Sequence, residues 1–219
     1  MEWLDNDNKK KDYIELITKV TNRFITQFDR DYHASLELLS KILDRRDSYT
    51  HSHSKNVSKY AGAISKKMGL SAKEKDIVKH SSLLHDIGKM SIDMSILQKK
   101  GKLTKEEWSE IRTHTHSGAE IVSRIKSLKD LAPTVLHHHE RYGGGGYPFP
   151  EMKNGEIPLS ARIVTCADAY DAMTSDRVYR KALPKEKAIE ELKGCSGTQF
   201  DPEIVKAFLL VLDKGEESE

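Results

Sequence analysis

The stretch that decides the fold of this chain is Leu84-His85-Asp86-Ile87-Gly88-Lys89, in which a histidine is directly followed by an aspartate. An imidazole nitrogen suits Fe, Mn or Zn, whereas a carboxylate has two oxygens and can bridge a pair of cations. These two ligand types side by side predict a site for neighbouring metal ions. We therefore expect chemistry on a charged substrate, and a phosphate ester is the natural candidate.

Further candidate ligands recur along the chain in helical surroundings. They are His53, His114, His138, His139 and Asp168. His53 continues the apolar stripe of its helix and Asp168 shares a face with Val164, so both side chains are expected to point inward. Burying each such polar group without a partner costs several kilocalories per mole of folding free energy. One shared metal site would give all of these groups a partner. A single histidine is weak support for this prediction, which depends on the ordered set.

Composition limits the class of protein. The 219 residues include 36 basic and 34 acidic side chains, and a net charge of +2 argues against a binder of nucleic-acid polymers. No apolar run approaches the ~20 residues of a membrane span, and the first residues do not resemble a signal peptide. Cys166 and Cys195 form no disulfide framework, so a cytoplasmic location is expected.

Helix signals dominate, and they predict an all-α fold. An apolar stripe from Tyr13 to Leu43 indicates one long helix or two helices in line. This stripe either packs against the rest of the domain or serves as a dimerising helix or a connector to a sensory module. We expect an N-terminal helical extension over residues 1–34 and the main domain over residues 35–219.

Local signals place several helix starts and one long loop. Ser71 with Glu74, and Thr104 with Glu107, have capping-box spacing, and Ser160 is a candidate cap for the helix that carries Asp168. The run Tyr142-Gly143-Gly144-Gly145-Gly146-Tyr147-Pro148-Phe149-Pro150 forbids regular structure and allows close approach of the backbone to a ligand or partner. A loop of this length in a compact domain is more often functional than idle.

The ordered motifs resemble the HD-GYP family, a branch of the HD superfamily of metal-dependent phosphohydrolases, over about residues 35–212. The matching strings are Asp47-Ser48-Tyr49-Thr50 leading to His53-Ser54; Leu83 to Lys89; Gly101-Lys102-Leu103-Thr104; Thr113-His114 with Gly118; His138-His139-Glu140-Arg141; Gly146-Tyr147-Pro148; Ile157-Pro158-Leu159; Ala167 to Arg177; and Gln199-Phe200-Asp201-Pro202.

The resemblance implies an all-helical bundle with a Gly-rich GYP loop that hydrolyses cyclic di-GMP to pGpG or GMP. It assigns one divalent metal to His53, His85, Asp86 and Asp168. It further implies that Asp86 bridges to a second metal held by His114, His138 and His139, and that a hydroxide between the cations attacks the phosphodiester. Iron or manganese is the family's usual metal. Tyr49 stands where some relatives have a glutamate that binds a third metal, which favours a two-metal site.

Five further residues receive roles by position. Lys89, one turn after Asp86, is expected to neutralise charge growing on the transition state and to contact the substrate. Arg177 and Arg180 match positions that hold the substrate's phosphates in relatives, and Tyr147 is assigned to substrate binding. Asp171, one turn after Asp168, is expected to orient the nucleophile or assist the leaving oxygen.

Other functions remain open at this point. The substrate could be another cyclic dinucleotide such as 3′,3′-cGAMP, or a simple nucleotide, because base recognition depends on pocket shape. A weakly active regulatory module that binds a diguanylate cyclase-type partner through the GYP loop is a second alternative. A receptor that binds the dinucleotide without cleaving it is a third. A homodimer through the N-terminal helix is a further expectation.

Overall fold

Helices provide the regular structure of the protein in a computed structural model that describes residues 2–27, 32–46, 53–176 and 181–214. The helices are α1 (Glu2–Gln27), α2 (Tyr32–Arg46), α3 (His53–Lys67), α4 (Ala72–Leu84), α5 (Met94–Leu97), α6 (Lys105–Arg112), α7 (His114–Ser123), α8 (Ala132–His137), α9 (Leu159–Thr174), α10 (Lys185–Gly194) and α11 (Pro202–Lys214). Short 3-10 helices span Ile87–Ser91, Lys129–Leu131 and Asn154–Glu156. The all-α prediction is confirmed, since the described residues form no strand beyond one isolated bridge.

Two of the expected helix starts follow the predicted chemistry. The Ser71 hydroxyl accepts a hydrogen bond from the Glu74 amide, and the Glu74 carboxylate accepts one from the Ser71 amide. Thr104 and Glu107 form the same capping box. The expected cap at Ser160 is wrong, because α9 already begins at Leu159 and the Ser160 hydroxyl hydrogen-bonds the Thr134 hydroxyl at 2.6 Å.

The long N-terminal stripe divides into two helices that lie side by side, not in line. Ile17 of α1 and Leu43 of α2 line the same groove, although they are far apart in sequence. Ile14 of α1 and Leu36 of α2 are both buried in one hydrophobic cluster with the rest of the fold. The stripe therefore packs against the main domain. None of the described helices combines the length and apolar character that a membrane span requires.

The core consists of two hydrophobic clusters that share α4. The first includes Val57, Ile64, Val78, Ile163, Val164, Leu192, Ile204 and Phe208, from α3, α4, α9, α10 and α11. The second includes Ile14, Leu36, Leu83, Leu84, Ile87, Ile121, Val122 and Val135, from α1, α2, α4, α7 and α8 with the first 3-10 helix. The helices of both clusters carry the predicted metal ligands, so packing the core fixes the ligand-bearing backbone.

A close contact between glycines fixes the turn that follows α4. A Cβ atom added to Gly88 would lie 1.8 Å from the carbonyl oxygen of His114 and 2.5 Å from the Gly118 nitrogen. Only a residue without a side chain lets the 3-10 helix approach the start of α7 this closely. The contact brings Asp86, just before this 3-10 helix, beside His114.

The Gly-rich loop is irregular, as predicted, and is tied to the fold at its base. Gly144 and Gly145 have positive φ angles of 93° and 80°, which residues with a side chain rarely adopt. The amides of Tyr142 and Gly143 donate hydrogen bonds to the carbonyls of Gln199 and Thr198, respectively. These contacts hold the loop beside the segment that precedes α11.

Candidate metal centre

The predicted ligands come together because most of them stand at helix ends. His53 is the first residue of α3 and His114 the first of α7. His85 and Asp86 follow α4 directly, and the histidine pair at 138 and 139 follows α8. Asp168 projects from the middle of α9 and lies 3.3 Å, Oδ1 to Nε2, from His53. Side chains distant in sequence thus share one buried centre.

Asp86 belongs to two clusters of donor atoms. In one, donor atoms of Asp86, His114, His138 and His139 all lie within 4.8 Å of one another. In the other, the same limit holds for His53, His85 and Asp86. The Oδ2 atom of Asp86 is 3.3 Å from His85 Nε2, whereas its Oδ1 atom is 3.5 Å from His114 Nε2. The carboxylate therefore directs one oxygen toward each group of histidines.

The orientation of three imidazoles is fixed by the backbone one turn earlier. The Nδ1 atoms of His85, His114 and His138 lie 2.7–2.8 Å from the carbonyl oxygens three residues before them. A carbonyl only accepts, so each Nδ1 carries the proton and each Nε2 presents its lone pair to the centre. This is the tautomer and the outer hydrogen bond usual for metal-bound histidines.

The donor atoms at the centre fit divalent cations better than they fit one another. The Nε2 atoms of His114 and His138 face each other at 3.4 Å, and both carry lone pairs in this tautomer. Within the described residues, the buried Nε2 atom of His85 and the buried Oδ1 atom of Asp86 have no hydrogen-bond partner. Such groups are costly to bury uncompensated, whereas coordination to a cation satisfies all of them. The residues present therefore fit a metal centre.

His53 is held from its outer side by a carboxylate. Its Nδ1 lies 2.7 Å from Oδ2 of Asp171, which is buried and 1% exposed. The other Asp171 oxygen accepts hydrogen bonds from the side chains of Asn56, at 2.9 Å, and Ser175, at 3.1 Å. Asp171 therefore lies on the outer side of His53, and its predicted role toward the nucleophile or leaving oxygen stays a prediction.

The protonation states of the donor cluster that contains His114, His138 and His139 suit metal binding. Burial lowers the pKa of His114 to about 4 and that of His139 to about 3, so both imidazoles are neutral near pH 7. Burial likewise holds the pKa of His138 well below its ordinary value. Burial opposes ionisation of Asp86, but the neighbouring positive charge, that of the Lys89 ammonium first, outweighs it and keeps the pKa of this carboxyl well below its usual range. Neutral imidazoles and an ionised carboxylate can coordinate a cation without first losing protons.

The donor cluster formed by His53, His85 and Asp86 differs in protonation at His53. Burial opposes the charge on this imidazole, but hydrogen bonds to Asp168 and Asp171 outweigh it and raise the pKa of His53 to about 10. Burial likewise disfavours the charged form of Asp168, yet the hydrogen bond from His53 lowers the pKa of that carboxyl. A cation bound between these two side chains takes the place of the imidazole proton, so binding there releases a proton.

Lys89 and Tyr147 lie at the edge of the centre. The Lys89 ammonium is 2.8 Å from Asp86 Oδ2, and its side chain is largely buried. The Tyr147 ring packs against His139, with centroids 4.8 Å apart, and burial raises the pKa of its hydroxyl. The guanidinium carbon of Arg112 lies 5.4 Å from the centre of the Tyr147 ring. This wall combines a cation, an aromatic face and a neutral phenol.

Three positions on which the sequence predictions depend lie outside the described residues. These are Arg177, Arg180 and Tyr49. The substrate-binding role of the two arginines and the two-metal argument from Tyr49 stay predictions.

Sequence reasoning missed three side chains that complete the site. Arg112 precedes the Thr113-His114 motif, and nothing in its spacing singles it out. Asn56 stands three residues after His53, and Ser175 four residues after Asp171. Helical spacing puts such pairs on one face, so both could have been proposed as supports for the buried Asp171.

Comparison with known sequences gives one consistent picture. A family model described as "HD domain" matches residues 37–204. The "Cyclic di-GMP phosphodiesterase" of Thermotoga maritima is 40% identical over 203 residues, which cover 92% of this chain and 54% of that protein. The "3'3'-cGAMP-specific phosphodiesterase 3" of Vibrio cholerae is 35% identical over 173 residues, which cover 79% of this chain and 37% of that protein. The chain thus spans about half the length, or less, of these two relatives.

Solved structures have the same fold at low identity. A crystal structure of a cyclic GMP-AMP-specific phosphodiesterase of V. cholerae superposes with a TM-score of 0.65 at 19% identity, covering 83% of this chain and 49% of that one. The HD domain of the L. monocytogenes phosphodiesterase PgpH, in complex with cyclic-di-AMP, has a TM-score of 0.57 at 18% identity. It matches 84% of this chain and 98% of its own length.

Proposed function

This chain belongs to the HD domain family, and on that premise we propose that it is a metal-dependent phosphodiesterase that hydrolyses cyclic di-GMP to pGpG or GMP. The single observation that carries the proposal is the pair of donor clusters that share Asp86. Relatives named as cyclic di-GMP phosphodiesterases support the substrate class. A domain division at residues 34 and 35 is proposed with it, and the family match from residue 37 supports that boundary.

The proposed ligands are divided between two cations in the same way as the donor atoms are divided between the two clusters. One cation is assigned to His53, His85, Asp86 and Asp168, and the second to Asp86, His114, His138 and His139. Nitrogen-rich sites of this kind accept iron or manganese, which we propose as the metals. When bound, such a pair of cations lowers the pKa of water and neutralises phosphate charge.

Lys89 is proposed to act on the substrate directly. Its ammonium lies at the shared carboxylate and can donate to an oxygen of the scissile phosphate, where negative charge grows in the transition state. Because the Lys89 side chain is largely buried, this charge is poorly screened by water and is worth more than it would be at the surface.

Two walls of the site are proposed to bind the rest of the dinucleotide. The ring of Tyr147, which is packed on His139, offers an aromatic face for a base, and Arg112 lies within reach of a phosphate beside it. Arg177 and Arg180 are proposed as further phosphate contacts. Asp171 is proposed to position His53, since each of its oxygens already has a partner in the fold.

Two relationships outside the active site are also proposed. The exposed tip of the Gly-rich loop, where Phe149 is 89% accessible, is the proposed contact for a diguanylate cyclase-type domain. Large exposed aromatic side chains are common anchors of protein interfaces.

Cys166 and Cys195 are free thiols, which fits a proposed cytoplasmic location.

Hydrolysis of 3′,3′-cGAMP is the second candidate function. It is favoured by one observation, that relatives 35% and 36% identical to this chain are named as phosphodiesterases specific for that dinucleotide. The catalytic groups proposed above serve both substrates, because each contains the same phosphodiester linkage.

The test compares turnover on a panel of cyclic dinucleotides in iron- or manganese-loaded protein, with products separated by chromatography. We expect conversion of cyclic di-GMP to linear products, loss of conversion in Asp86→Ala, and normal conversion in the control Asp213→Ala, which alters an exposed aspartate of α11. Faster conversion of 3′,3′-cGAMP would select the second candidate. Tight dinucleotide binding without product after prolonged incubation would reject hydrolysis in favour of a receptor.

A further inference from the structure

A broad cleft lies between α3 and α4, beside the start of α2. Its volume is about 810 Å³, which is within the roughly 300–1,000 Å³ of typical small-molecule sites. Five lysines line it, and these are Lys55, Lys59, Lys66, Lys75 and Lys79. Among the described residues of its lining the one acidic side chain is Glu37, whose Oε1 lies 3.3 Å from Nε2 of His33. Positive charge therefore dominates the cleft.

The lysines project from two helices that lie side by side. The Ser58 hydroxyl of α3 donates a 2.9 Å hydrogen bond to the carbonyl oxygen of Lys79 on α4, so Lys59 and Lys79 stand at the same level of the helix pair. Along α3, Lys55, Lys59 and Lys66 repeat at helical spacing over about 16 Å, at 1.5 Å per residue. Positive charge spread over this length matches a ligand with more than one anionic group.

Most of this positive charge is not neutralised by the fold. Within the part of the chain that the structure describes, Lys55, Lys59, Lys75 and Lys79 form no ion pair with a carboxylate. Their effect is visible at His33, because burial and then the charge of Lys79 lower the pKa of this imidazole, although Glu37 raises it. An anion bound in the cleft would supply the negative charge that is missing.

Small residues between the lysines leave room for a ligand. Gly62 lines the cleft, and a Cβ atom added there would meet none of the described atoms within 4 Å. Ala63 and Ser65 line it as well. A small molecule can therefore enter between the lysines of the two helices, whereas a large flat partner would rest on top of them.

The cleft is separate from the metal centre. None of the described residues that line it is a proposed metal ligand. The two sites approach each other at Asn56, which lines the cleft and donates a 2.9 Å hydrogen bond to Asp171 on the outer side of His53. A ligand in the cleft thus leaves the donor atoms of the metal centre free.

We propose that this cleft binds a small molecule that carries two or more phosphate groups and has the size of a nucleoside triphosphate. The ammonium groups of α3 and α4 hold its phosphates from both sides, since lysine binds phosphate as a point charge on a flexible stem. This binding requires neither metal ions nor hydrolysis of a dinucleotide. It gives the chain a second ligand site beside the proposed phosphodiesterase centre.

The test is calorimetric titration of the full 219-residue chain with ATP at physiological salt, in the presence of a chelator that keeps the donor clusters free of metal. We expect ATP to bind and AMP, with one phosphate, to bind more weakly. Lys59→Glu on α3 and Lys79→Glu on α4 should each weaken ATP binding about tenfold or more, the loss expected for one hydrogen bond to a charged group. The matched control Lys187→Glu, which makes the same charge change at an exposed lysine of α10, should bind ATP like the native chain.

Circular dichroism checks that each variant is folded, and Lys59→Gln or Lys79→Gln replaces a charge reversal that is not. Lack of ATP binding by the native chain overturns the proposal, as does unchanged affinity in both cleft variants or equal weakening in Lys187→Glu. AMP that binds as tightly as ATP overturns the requirement for several phosphates. Lys89→Ala should keep the native affinity, and a loss there without a loss in the cleft variants would assign ATP to the metal centre instead. Turnover is not measured, so failure of the phosphodiesterase proposal would leave these results unchanged.

Discussion

Replacing Gly88 with alanine tests the contact that brings the two donor clusters together. The added Cβ would lie 1.8 Å from the His114 carbonyl oxygen, whereas ordinary contact begins near 3.4 Å, so the 3-10 helix and α7 must separate by about 1.6 Å (3.4 − 1.8). Overpacking of a tight interior costs about 1–3 kcal/mol, and a clash with backbone belongs at the upper end of that range. Unlike a flexible side chain, the two backbones cannot move aside independently.

The same displacement affects the metal centre. Asp86 Oδ1 is 3.5 Å from His114 Nε2, and a shift of this size pulls the shared carboxylate away from His114 and the other histidines of its cluster. Misplacing a reacting group by ~1 Å can cost on the order of 10²-fold in rate. We therefore expect Gly88→Ala to be less stable by about 3 kcal/mol and to bind fewer metal ions per chain.

The assay is urea unfolding of the metal-free protein, together with elemental analysis of the metal-loaded protein. Gly62→Ala is the matched control, because it lies within α3 and a Cβ there meets none of the described atoms within 4 Å. Alanine inside a helix should stabilise this control by about 0.5–1 kcal/mol. If Gly88→Ala matched Gly62→Ala in stability and metal content, the argument from close packing would be refuted.

Substitutions at three residues and one titration probe the site. Asp86→Ala should abolish turnover together with metal binding, and retained activity with full metal content would contradict its bridging role. Lys89→Ala should lower turnover at unchanged metal content, whereas lost metal would make Lys89 structural. Asp171→Ala should weaken metal binding about 10- to 100-fold, and Asp171→Asn, which can still accept from His53, should recover part of it; equal loss in both variants would argue against positioning through this hydrogen bond. Mn²⁺ at 100 times its dissociation constant should stabilise the native fold by about 2.7 kcal/mol for each of the two proposed sites, an increment that Asp86→Ala should lack.

The sequence predicted the fold class and the course of several helices because these depend on local signals. The capping boxes at Ser71 and Thr104 formed as their spacing indicated, since a cap uses only residues within one turn. The stripe from Tyr13 to Leu43 was harder, because its period is the same whether two helices run in line or fold back. Packing of Ile14 and Leu36 into one cluster decided that question, and periodicity carries no information about such distant contacts.

The site was predictable in its members but not in its geometry. The ordered histidines and aspartates predicted the candidate donors, whereas the direction of each imidazole depends on backbone carbonyls such as that of Ile111 behind His114. Helical spacing likewise puts Asp171 near Asp168 but does not show that His53 lies between the two carboxylates. Arg112 came within reach of Tyr147 through a tertiary contact that has no sequence signature.

Elemental analysis of anaerobically purified protein tests the shared-carboxylate centre most directly. The account predicts two divalent ions in each native chain, two in Asp213→Ala, and loss of both from Asp86→Ala, because both donor clusters include the Asp86 carboxylate. A native chain that binds no divalent ion, or an Asp86→Ala chain that keeps both, would contradict it.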